Sequence, residues 1–482
     1  MEKLIKLIND SSKGYEVYGV GGFARDLFLK LKHSDIDLAV NKDAQKFSKK
    51  IAKVLGGKLI VLDELNKIYR IILKDCQDIS NIDISLFDGK TIEEDLKNRD
   101  FTVNAAAFNL SCFDSFAKNI VFAGKGCLKD LKSKTINTVA ADAFKKDPLR
   151  MLRAFRFAAE LGIKISAETL KQIKISAKLI KKSAPERIKN EFFRILAVND
   201  SPDILKIMDK NGLLMELFPE IAKMKKASKK HYYHPGGLFQ HSFETMEAVY
   251  EILNNLKKYF PDNYKELEDH FANKETYSEN VTKAGLLKFT ALFHDSAKPE
   301  TAKKEGSKMR FFGHEEEGAK KIEEIMIALK MSKKDISGAK FLVENHMRPS
   351  TLTKNNVVTD KAALKFFRDV TDNTPDLLVL AMADWHSYKK LKVFSPKELK
   401  MQEKSVRQLI SHYYEVKNAK PLPKLVDGNI IMKEFKLKPG PWLGALLEIV
   451  TAAQQEGKVN NTKEALTLIS SKLTVVKKKY KI

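Results

Sequence analysis

Cysteine is scarce in this 482-residue sequence, and long apolar runs are missing. The three cysteines, Cys76, Cys112 and Cys127, are widely spaced and form no Cys-x-x-Cys pair, which excludes a small disulfide-linked fold. With no apolar N-terminal leader before them, they favour a reducing cytoplasm. No apolar run approaches the ~20 residues that a bilayer-spanning helix needs, so the sequence predicts no membrane protein.

Glycine and proline are also few, at 22 and 14 residues, while 43% of the chain is hydrophobic. This composition excludes a fibrous or disordered chain and predicts folded domains, about three of them at ~150 residues each. Basic residues exceed acidic ones by 86 to 62, which leaves a formal net charge of +24. Such an excess favours a polyanionic partner, and nucleic acid is the leading candidate.

Arginine is the scarce basic residue, because the chain has 12 arginines against 74 lysines. Only arginine offers a planar fork that binds phosphate bidentately and stacks on bases, so arginine should persist where geometry matters. Eight of the twelve precede residue 200: Arg25, Arg70, Arg99, Arg150, Arg153, Arg156, Arg187 and Arg194. We therefore predict a polyphosphate or base site in the N-terminal region, with a plain basic surface as the alternative.

A glycine pair separates the first predicted strand, 15–20, from a helical stretch, 27–31. Gly21 and Gly22 would let backbone N–H groups approach a phosphate, and Arg25 could add a charged clamp. The alternative is an ordinary turn.

Two aspartates lie on the next predicted strand, 34–40. Asp35 and Asp37 are two residues apart, so their carboxylates project from one face of the strand. They would repel each other unless a cation such as Mg²⁺ lay between them, where it could bind a triphosphate and activate a hydroxyl. The alternative is a solvated acidic edge. Asp83, on another predicted strand, either completes the metal site or faces solvent.

Two further polar motifs follow, and the four motifs together resemble a known family. The series comprises Gly21-Gly22-x-x-Arg25-Asp26, Asp35-x-Asp37, Arg99-Asp100-Phe101-Thr102-x-Asn104-Ala105 and Asp147-Pro148-x-Arg150-x-x-Arg153-Ala154-x-Arg156-Phe157. Their order closely resembles that of the bacterial (class II) tRNA nucleotidyltransferases and poly(A) polymerases. The resemblance implies a polymerase-β-like palm, a helical neck and the addition of CCA to tRNA 3′ ends.

The resemblance also implies a role for each motif residue. Asp35 and Asp37 would be the catalytic Mg²⁺ ligands. The nucleotide would be bound by Gly21, Gly22, Arg25, Arg99, Asp100, Asn104, Asp147, Arg150, Arg153 and Arg156. Within this set, Arg156 is the residue that could instead brace the domain junction, because it lies on the opposite side of the helix from Asp147.

In the family, an Asp-x-x-Arg pair reads the Watson–Crick edge of the incoming base. Asp147 and Arg150 supply an acceptor and a forked donor on one helix face, which suits both cytosine and adenine. The alternative role for Asp147 is a helix cap, because proline follows it at what would be the first helical position. The chain departs from the common pattern at Asn98, Asn137 and Lys146, which leaves its nucleotide preference open.

Downstream, lysines recur at steps of three and four along the predicted neck helix. Lys171, Lys174, Lys178 and Lys181 form one basic ridge, which is either a solvated face or a contact for an RNA backbone.

Most of the ten histidines fall between residues 228 and 390. Histidine and aspartate are ligands for divalent metals that activate water. The order of His241, the His294-Asp295 doublet and Asp384 resembles the HD phosphohydrolase superfamily, in which these residues would bind a divalent transition metal. His314 and His346 would support a second ion, whereas His231, His234 and His386 are predicted non-ligands. Taken singly, each histidine could be structural.

We therefore predict an α+β chain, in which a palm with a mixed sheet and helices is followed by all-α neck, HD and tail regions. The predicted boundaries are 1–140 for the palm, 141–225 for the neck, 226–392 for the HD region and 393–482 for a tRNA-binding tail. The predicted function is cytoplasmic CCA addition to tRNA from CTP and ATP, with a possible HD phosphatase or phosphodiesterase activity. The alternatives are a poly(A) polymerase, an enzyme that adds only CC or only A, or an HD phosphohydrolase with an RNA-binding N-terminal half.

Overall fold

A computed structural model describes residues 1–32, 35–73, 79–227, 236–272, 278–306, 308–353, 358–389, 394–419 and 422–480. The chain divides into two compact units. The first contains residues 1–222 with 328–330, and the second contains residues 223–327 and 331–482. The finer division into four regions stays a prediction.

The first unit is built on a seven-stranded sheet with the order β3-β4-β5-β2-β1-β6-β7. Its strands are β1 Val17–Val20, β2 Asp35–Val40, β3 Lys58–Asp63, β4 Ile68–Ile72, β5 Asn81–Leu86, β6 Ala106–Asn109 and β7 Ile120–Phe122. The β2–β5 pair is parallel and the other pairs are antiparallel, so the sheet is mixed as predicted.

Strand β2 shows how the sheet presents carboxylates on the face opposite to its main core. Ile36 and Leu38 are buried in the core, while Asp35 and Asp37 alternate with them and face the other way. In the register of the sheet, Asp37 lies opposite Asp83 of β5.

Twelve helices belong wholly or partly to the first unit. They are α1 Glu2–Asp10, α2 Gly21–Leu29, α3 Ala44–Leu55, α4 Ile92–Asn98, α5 Lys125–Lys132, α6 Ala143–Lys146, α7 Arg150–Leu161, α8 Ala167–Ser176, α9 Pro185–Ala197, α10 Ser201–Lys210, α11 Leu213–Leu217 and α12 Pro219–Lys226. Helix α7 ends at Gly162, which adopts a left-handed conformation with φ +63°. Helix α9 begins with a proline, whose missing N–H costs no hydrogen bond there.

The second unit is largely helical. Its helices are α13 Leu238–Asn254, α14 Leu256–Tyr259, α15 Tyr264–Ala272, α16 Lys283–Phe293, α17 Lys298–Thr301, α18 His314–Ala328, α19 Lys333–Asn345, α20 Met347–Thr353, α21 Asp360–Val370, α22 Thr374–Ser387, α23 Pro396–Asn418, α24 Gly428–Phe435, α25 Trp442–Gln455 and α26 Thr462–Tyr480. None of the helices in the described part of the chain is both long enough and apolar enough to span a bilayer.

The α+β class with an N-terminal mixed sheet is confirmed, and local details differ from the prediction. Short strands occur in regions predicted to be all-α: β9 Lys164–Ile165, which pairs with β8 Thr135–Ile136 of the palm, and β10 Lys303–Glu305 with β11 Lys308–Arg310. The neck ridge is not one helix, because α8 ends at Ser176 and a 3₁₀ segment, Ala177–Lys182, follows. Lys181 on this segment pairs with Glu216, so one ridge lysine has an acidic partner.

The packing of β1 against β6 predicts a destabilising glycine substitution. A Cβ atom at Gly19 would lie 2.4 Å from the Phe108 ring, which is fully buried and has no room to withdraw. We expect Gly19→Ala to lower the free energy of unfolding by about 1 to 3 kcal/mol. Gly126→Ala is the control, since a Cβ there meets no atom within 4 Å. Chemical denaturation would measure both variants, and an equal midpoint for the two would contradict this packing.

Candidate active site and metal centre

A polar cavity of about 720 Å³ opens on the face of the sheet that carries Asp37. Every N-terminal site residue predicted from the sequence lines it: Gly21, Gly22, Arg25, Asp35, Asp37, Arg99, Asp100, Asn104, Asp147, Arg150, Arg153 and Arg156. Asp83, Glu160, Arg187 and Arg194 line it as well. The structure therefore brings residues that are up to 170 positions apart in the sequence into one site.

The glycine pair forms a close approach between the end of β1 and the cavity. Gly21 has φ +62°, and a Cβ there would lie 2.9 Å from a guanidinium nitrogen of Arg99. A Cβ at Gly22 would lie 3.2 Å from Asp37 Oδ2. Both positions therefore need glycine, for the turn and for the space beside the carboxylate.

The two strand aspartates have different surroundings. Asp35 is exposed and accepts a hydrogen bond from Asn81 Nδ2 at 2.9 Å. Burial and the neighbouring charge of Asp83 raise the pKa of Asp37 to about 6, although Arg99 and the backbone N–H of Phe23 oppose the rise. Two carboxylates in a site of this kind suit a hard cation such as Mg²⁺, which prefers oxygen ligands.

Both carboxylate oxygens of Asp83 are already occupied by an ion pair, so this residue is neither a free metal ligand nor a solvent-facing carboxylate. Arg70 of β4 donates to both of its carboxylate oxygens at 2.7 Å, in a bidentate pair between adjacent strands. Arg70 on β4 lies opposite Asp83 on β5, and Asp83 lies opposite Asp37 on β2. The ion pair therefore holds a positive charge on the strand next to that of Asp83. Arg70 is one of the eight arginines that precede residue 200, but none of the sequence motifs predicted a role for it.

A chain of polar contacts starts beneath the glycine turn. Arg25 is buried and donates to Asp26 Oδ1 and to Asn104 Oδ1, each at 2.7 Å. Asn104 lies 3.5 Å from Asp100, whose other carboxylate oxygen accepts from Arg153 Nε at 2.8 Å. Burial alone would raise the pKa of Asp100, but the Arg153 guanidinium holds it below its ordinary value.

The chain continues through the neck helices α7 and α9. Arg153 lies 3.8 Å from Glu191, which also accepts from Arg156 Nε at 2.5 Å. Glu160 then accepts from both Arg156, at 2.6 Å, and Arg194, at 2.9 Å. Arg156 is therefore buried between two glutamates, the bracing arrangement considered for it, and its contact with nucleotide stays a prediction. The sequence alone did not identify Glu160, Glu191 or Arg194 as members of the site.

Asp147 and Arg150 lie at the start of α7, and both are already anchored. The backbone N–H of Leu149 donates to Asp147 Oδ1 at 3.1 Å. Asp147 is not the N-cap considered as the alternative, because α7 begins at Arg150 and its N-cap is Leu149. Arg187 of α9 donates to Asp147 Oδ2, also at 3.1 Å. Arg150 donates to the backbone carbonyls of Asn98, at 2.8 Å, and Arg99, at 3.5 Å.

The second unit contains the predicted histidine cluster. Its ligand atoms form two groups, His241 with His294 and Asp384, and Asp295 with His314 and His346. Within each group the candidate ligand atoms lie within 4.8 Å of one another. His241 and Asp384 lie within α13 and α22, and His314 is the first residue of α18. The His294–Asp295 doublet follows the end of α16, and His346 follows the end of α19.

Each histidine of the cluster directs its Nε2 toward the other ligand atoms, because its Nδ1 forms a hydrogen bond on the outer side of the ring. The Nδ1 atoms of His294, His314 and His346 contact the backbone carbonyls of Ala291, Phe311 and Val343 at 2.6 to 2.8 Å. His241 Nδ1 contacts Ser387 Oγ at 3.0 Å. Such outer contacts fix the tautomer that leaves Nε2 free to bind a metal.

Asp295 lies between the two groups. Its Oδ2 is 3.2 Å from His241 Nε2 and 3.3 Å from His294 Nε2. Its Oδ1 is 3.4 Å from His314 Nε2 and 3.7 Å from His346 Nε2. The carboxylate can therefore bridge two cations, one on each side.

Two histidines of the cluster have pKa values that are shifted in opposite directions. Burial alone would lower the pKa of His241, but its contacts with Asp295 and Asp384 raise it above its ordinary value. Burial, reinforced by His294, lowers the pKa of His346 to about 3, so its imidazole is neutral at physiological pH. Asp295 Oδ1 and Asp384 Oδ1 are buried without a hydrogen-bond donor among the described residues, which is the pattern that a bound cation would resolve. The residues present therefore fit divalent metal ions.

The remaining histidine predictions have separate outcomes. His386, a predicted non-ligand, contacts Glu403 at 2.9 Å and is in neither group. His231 and His234 lie outside the described residues.

Three family models match the chain. The poly A polymerase head domain matches residues 17–137, the "probable RNA and SrmB-binding site of polymerase A" matches 162–225, and tRNA nucleotidyltransferase domain 2 matches 311–469. Together they cover the lining residues of the polar cavity up to residue 137, the region 162–225 and more than half of the second unit.

Curated relatives and solved structures extend this similarity over nearly the whole chain. A CC-adding tRNA nucleotidyltransferase of Thermus thermophilus is 28% identical, over 93% of this chain and 92% of that protein. An A-adding tRNA nucleotidyltransferase of Deinococcus radiodurans is 27% identical, over 93% of this chain and 94% of that protein. A solved Thermotoga maritima CCA-adding enzyme in complex with tRNA shares the fold, with a TM-score of 0.61 at 21% identity over 97% of this chain and 95% of that one. The matched segments are therefore those of poly(A) polymerases and tRNA nucleotidyltransferases, and the similarity over nearly the full length is to tRNA nucleotidyltransferases.

The environment of Asp37 predicts an unusual titration. Its carboxyl group should release its proton near pH 6, because burial and Asp83 both disfavour the charged form. Below that pH the group is neutral, so cation binding at this carboxylate should weaken as pH falls through about 6. Asp83→Asn should lower the pKa, whereas Asp114→Asn, on an exposed segment of the same unit, should not. Carboxyl NMR titration measures this, and a pKa near 4 in the unmodified chain would contradict it.

Proposed function

We propose that this chain adds CMP and AMP to the 3′ ends of tRNA, using CTP and ATP and releasing pyrophosphate. The observation that carries the proposal is the cavity that gathers all twelve N-terminal motif residues around one carboxylate pair. The names of two similar proteins support it. Both are tRNA nucleotidyltransferases, and each aligns with more than nine-tenths of this chain. A cytoplasmic location follows from such a role.

The proposed reaction joins the tRNA 3′-hydroxyl oxygen to the α-phosphorus of the nucleotide, and the bond to the β-phosphate oxygen breaks. Asp35 and Asp37 would hold Mg²⁺, which when bound stabilises the negative charge of the triphosphate and lowers the pKa of the hydroxyl. The Gly21–Gly22 turn leaves room for phosphate beside Asp37, and Arg99 supplies positive charge at the same place. Arg153 lies on the neck side of the cavity, where it can contact a phosphate through the N–H groups that Asp100 leaves free.

Base selection is proposed for Asp147 and Arg150. Cytosine and adenine both present an exocyclic amine as a donor beside a ring-nitrogen acceptor, which matches one carboxylate and one guanidinium. Uracil and guanine present a carbonyl oxygen where the amine would be, so the Asp147 carboxylate would repel them. The protein therefore needs no nucleic-acid template to choose between these bases.

Three tRNA transcripts that end before position 74, 75 or 76 would test the function. Incubated with each labelled triphosphate, they separate full CCA addition, which we expect, from addition of CC alone or A alone. Poly(A) synthesis would instead give long adenosine tracts on every transcript, and this result would contradict the proposal.

The carboxylate pair predicts a specific loss of activity. Asp37→Ala should reduce nucleotide addition by at least about a thousandfold, because the proposed Mg²⁺ site loses its buried ligand. The control is Asp63→Ala, which removes a carboxylate from the end of β3 in the same unit. Quantitative extension of a transcript that lacks CCA measures both, and undiminished addition by Asp37→Ala would exclude the proposed metal site.

A second activity, hydrolysis of phosphate esters, is proposed for the histidine cluster. The specific observation is the pair of ligand groups that share Asp295, since two-metal centres of this type activate water. Lys298 lies 2.5 Å from Asp295 and extends from the N-terminus of α17, where it can bind an anionic substrate.

The histidine cluster predicts a separation of activities. His294→Ala should lower the bound metal content and reduce hydrolysis of a generic phosphodiester by more than about a hundredfold, while nucleotide addition continues. His412→Ala is the control, because this histidine belongs to the same unit but contacts Phe367 and lies in neither ligand group. Metal analysis and both assays on the full chain measure the effect. Unchanged metal content after His294→Ala would rule out the centre.

A further inference from the structure

Arg187 is a cavity residue that none of the sequence motifs contains. It lies in the first turn of α9, lines the polar cavity, and contacts the carboxylate proposed to read the base. We infer that Arg187 is a positioning residue that sets nucleotide specificity by holding the Asp147 carboxylate in its reading orientation. This inference rests on the proposed nucleotidyl transfer.

The contact fixes the second of two carboxylate oxygens. Asp147 Oδ1 accepts from the backbone N–H of Leu149, and Oδ2 accepts from Arg187 Nη2, each at 3.1 Å. A carboxylate held at only one oxygen can still rotate about its last torsion angle, whereas two donors from different directions define its plane. Because each oxygen has more than one lone pair, a position remains on Oδ2 for the exocyclic amine of a base.

The partner of Asp147 is fixed in a comparable way. Arg150 donates to the carbonyls of Asn98 and Arg99, which are backbone groups and do not depend on the side chain at position 98. Both members of the proposed reading pair are therefore anchored, and Arg187 is the one side chain that supplies an anchor to Asp147 among the described hydrogen bonds.

The choice and place of Arg187 argue against a purely stabilising role. Its side chain is 56% exposed, and at exposed positions this sequence uses lysine for positive charge in most cases. A cation in the first turn of a helix is also opposed by the positive end of the helix dipole. An exposed arginine that is costly for its own helix is explained by the hydrogen bond that its Nη2 donates to Asp147 Oδ2.

The pair has a chemical consequence for nucleotide choice. Cytosine carries an N4 amine where uracil carries the O4 carbonyl, so a well-oriented carboxylate favours CTP and repels UTP. If Arg187 is lost, the carboxylate is free to rotate away, and the penalty against UTP falls. The kcat/KM for CMP incorporation should fall less than the CTP-to-UTP ratio, because the remaining contacts of the nucleotide are unchanged.

The test measures kcat/KM for CMP and UMP incorporation into a tRNA transcript that lacks CCA. We expect Arg187→Ala to reduce the CTP-to-UTP ratio by about tenfold, Asp147→Ala to reduce it at least as far, and Arg187→Lys to restore part of the loss. The Arg187→Ala/Asp147→Ala double variant should discriminate no worse than Asp147→Ala alone, because one residue acts through the other.

Lys189→Ala is the matched control, since Lys189 is a basic residue of the same helix that is not among the residues lining the cavity. Its CTP-to-UTP ratio should stay at the value of the unmodified chain, and a general loss of stability would likewise not change a ratio between two nucleotides. An unchanged ratio in Arg187→Ala, or a double variant in which the two losses add, would overturn the role of Arg187. Failure of the unmodified chain to incorporate CMP would instead overturn the proposed function.

Discussion

The network of polar contacts from Arg25 to Arg194, which is buried except toward its Arg194 end, is the interaction on which the first unit depends. It passes from the helix after the glycine turn, through Asn104 and Asp100, to the arginines of α7 and the glutamates that pair with them. Charges at this depth are tolerable only when each has a partner, so loss of one member leaves an uncompensated neighbour. These polar contacts therefore fix the sheet, α7 and α9 relative to one another, and the cavity between them keeps its shape.

The same logic of compensated charge governs the sheet. Arg70, Asp83 and Asp37 lie opposite one another on three adjacent strands. Arg70 neutralises Asp83, which leaves Asp35 and Asp37 as the carboxylates with capacity for a cation. The histidine cluster of the second unit differs, because outer contacts hold the Nδ1 atoms of its imidazoles and leave the Nε2 atoms facing inward. Asp295 Oδ1 and Asp384 Oδ1 also lack a hydrogen-bond donor among the described residues. Both arrangements fit divalent cations, by oxygen ligands in one case and by mixed ligands in the other.

Sequence reasoning predicted the parts of the site that depend on local pattern. Alternation predicted that Asp35 and Asp37 share a strand face, and motif order predicted which arginines would meet them. It could not predict Arg70 as the partner of Asp83 or Glu191 as a partner of Arg156, because strand register and helix packing bring these residues together. Glu160, in contrast, is four residues from Arg156 on α7, a spacing that the sequence does show. Arg187 stood out in the sequence as a rare arginine in a lysine-rich chain, but no pattern there indicated Asp147 as its partner. The short ladders β8–β9 and β10–β11 were missed since strands of two or three residues have too little alternation to detect.

The most direct test of this account is a crystal structure of the full chain with Mg²⁺ and a non-hydrolysable CTP analogue. The account predicts the triphosphate beside the Gly21–Gly22 turn and Asp37, and the cytosine edge against Asp147 and Arg150, with the Arg187–Asp147 contact retained. A nucleotide bound elsewhere, or a base that faces away from Asp147, would contradict it.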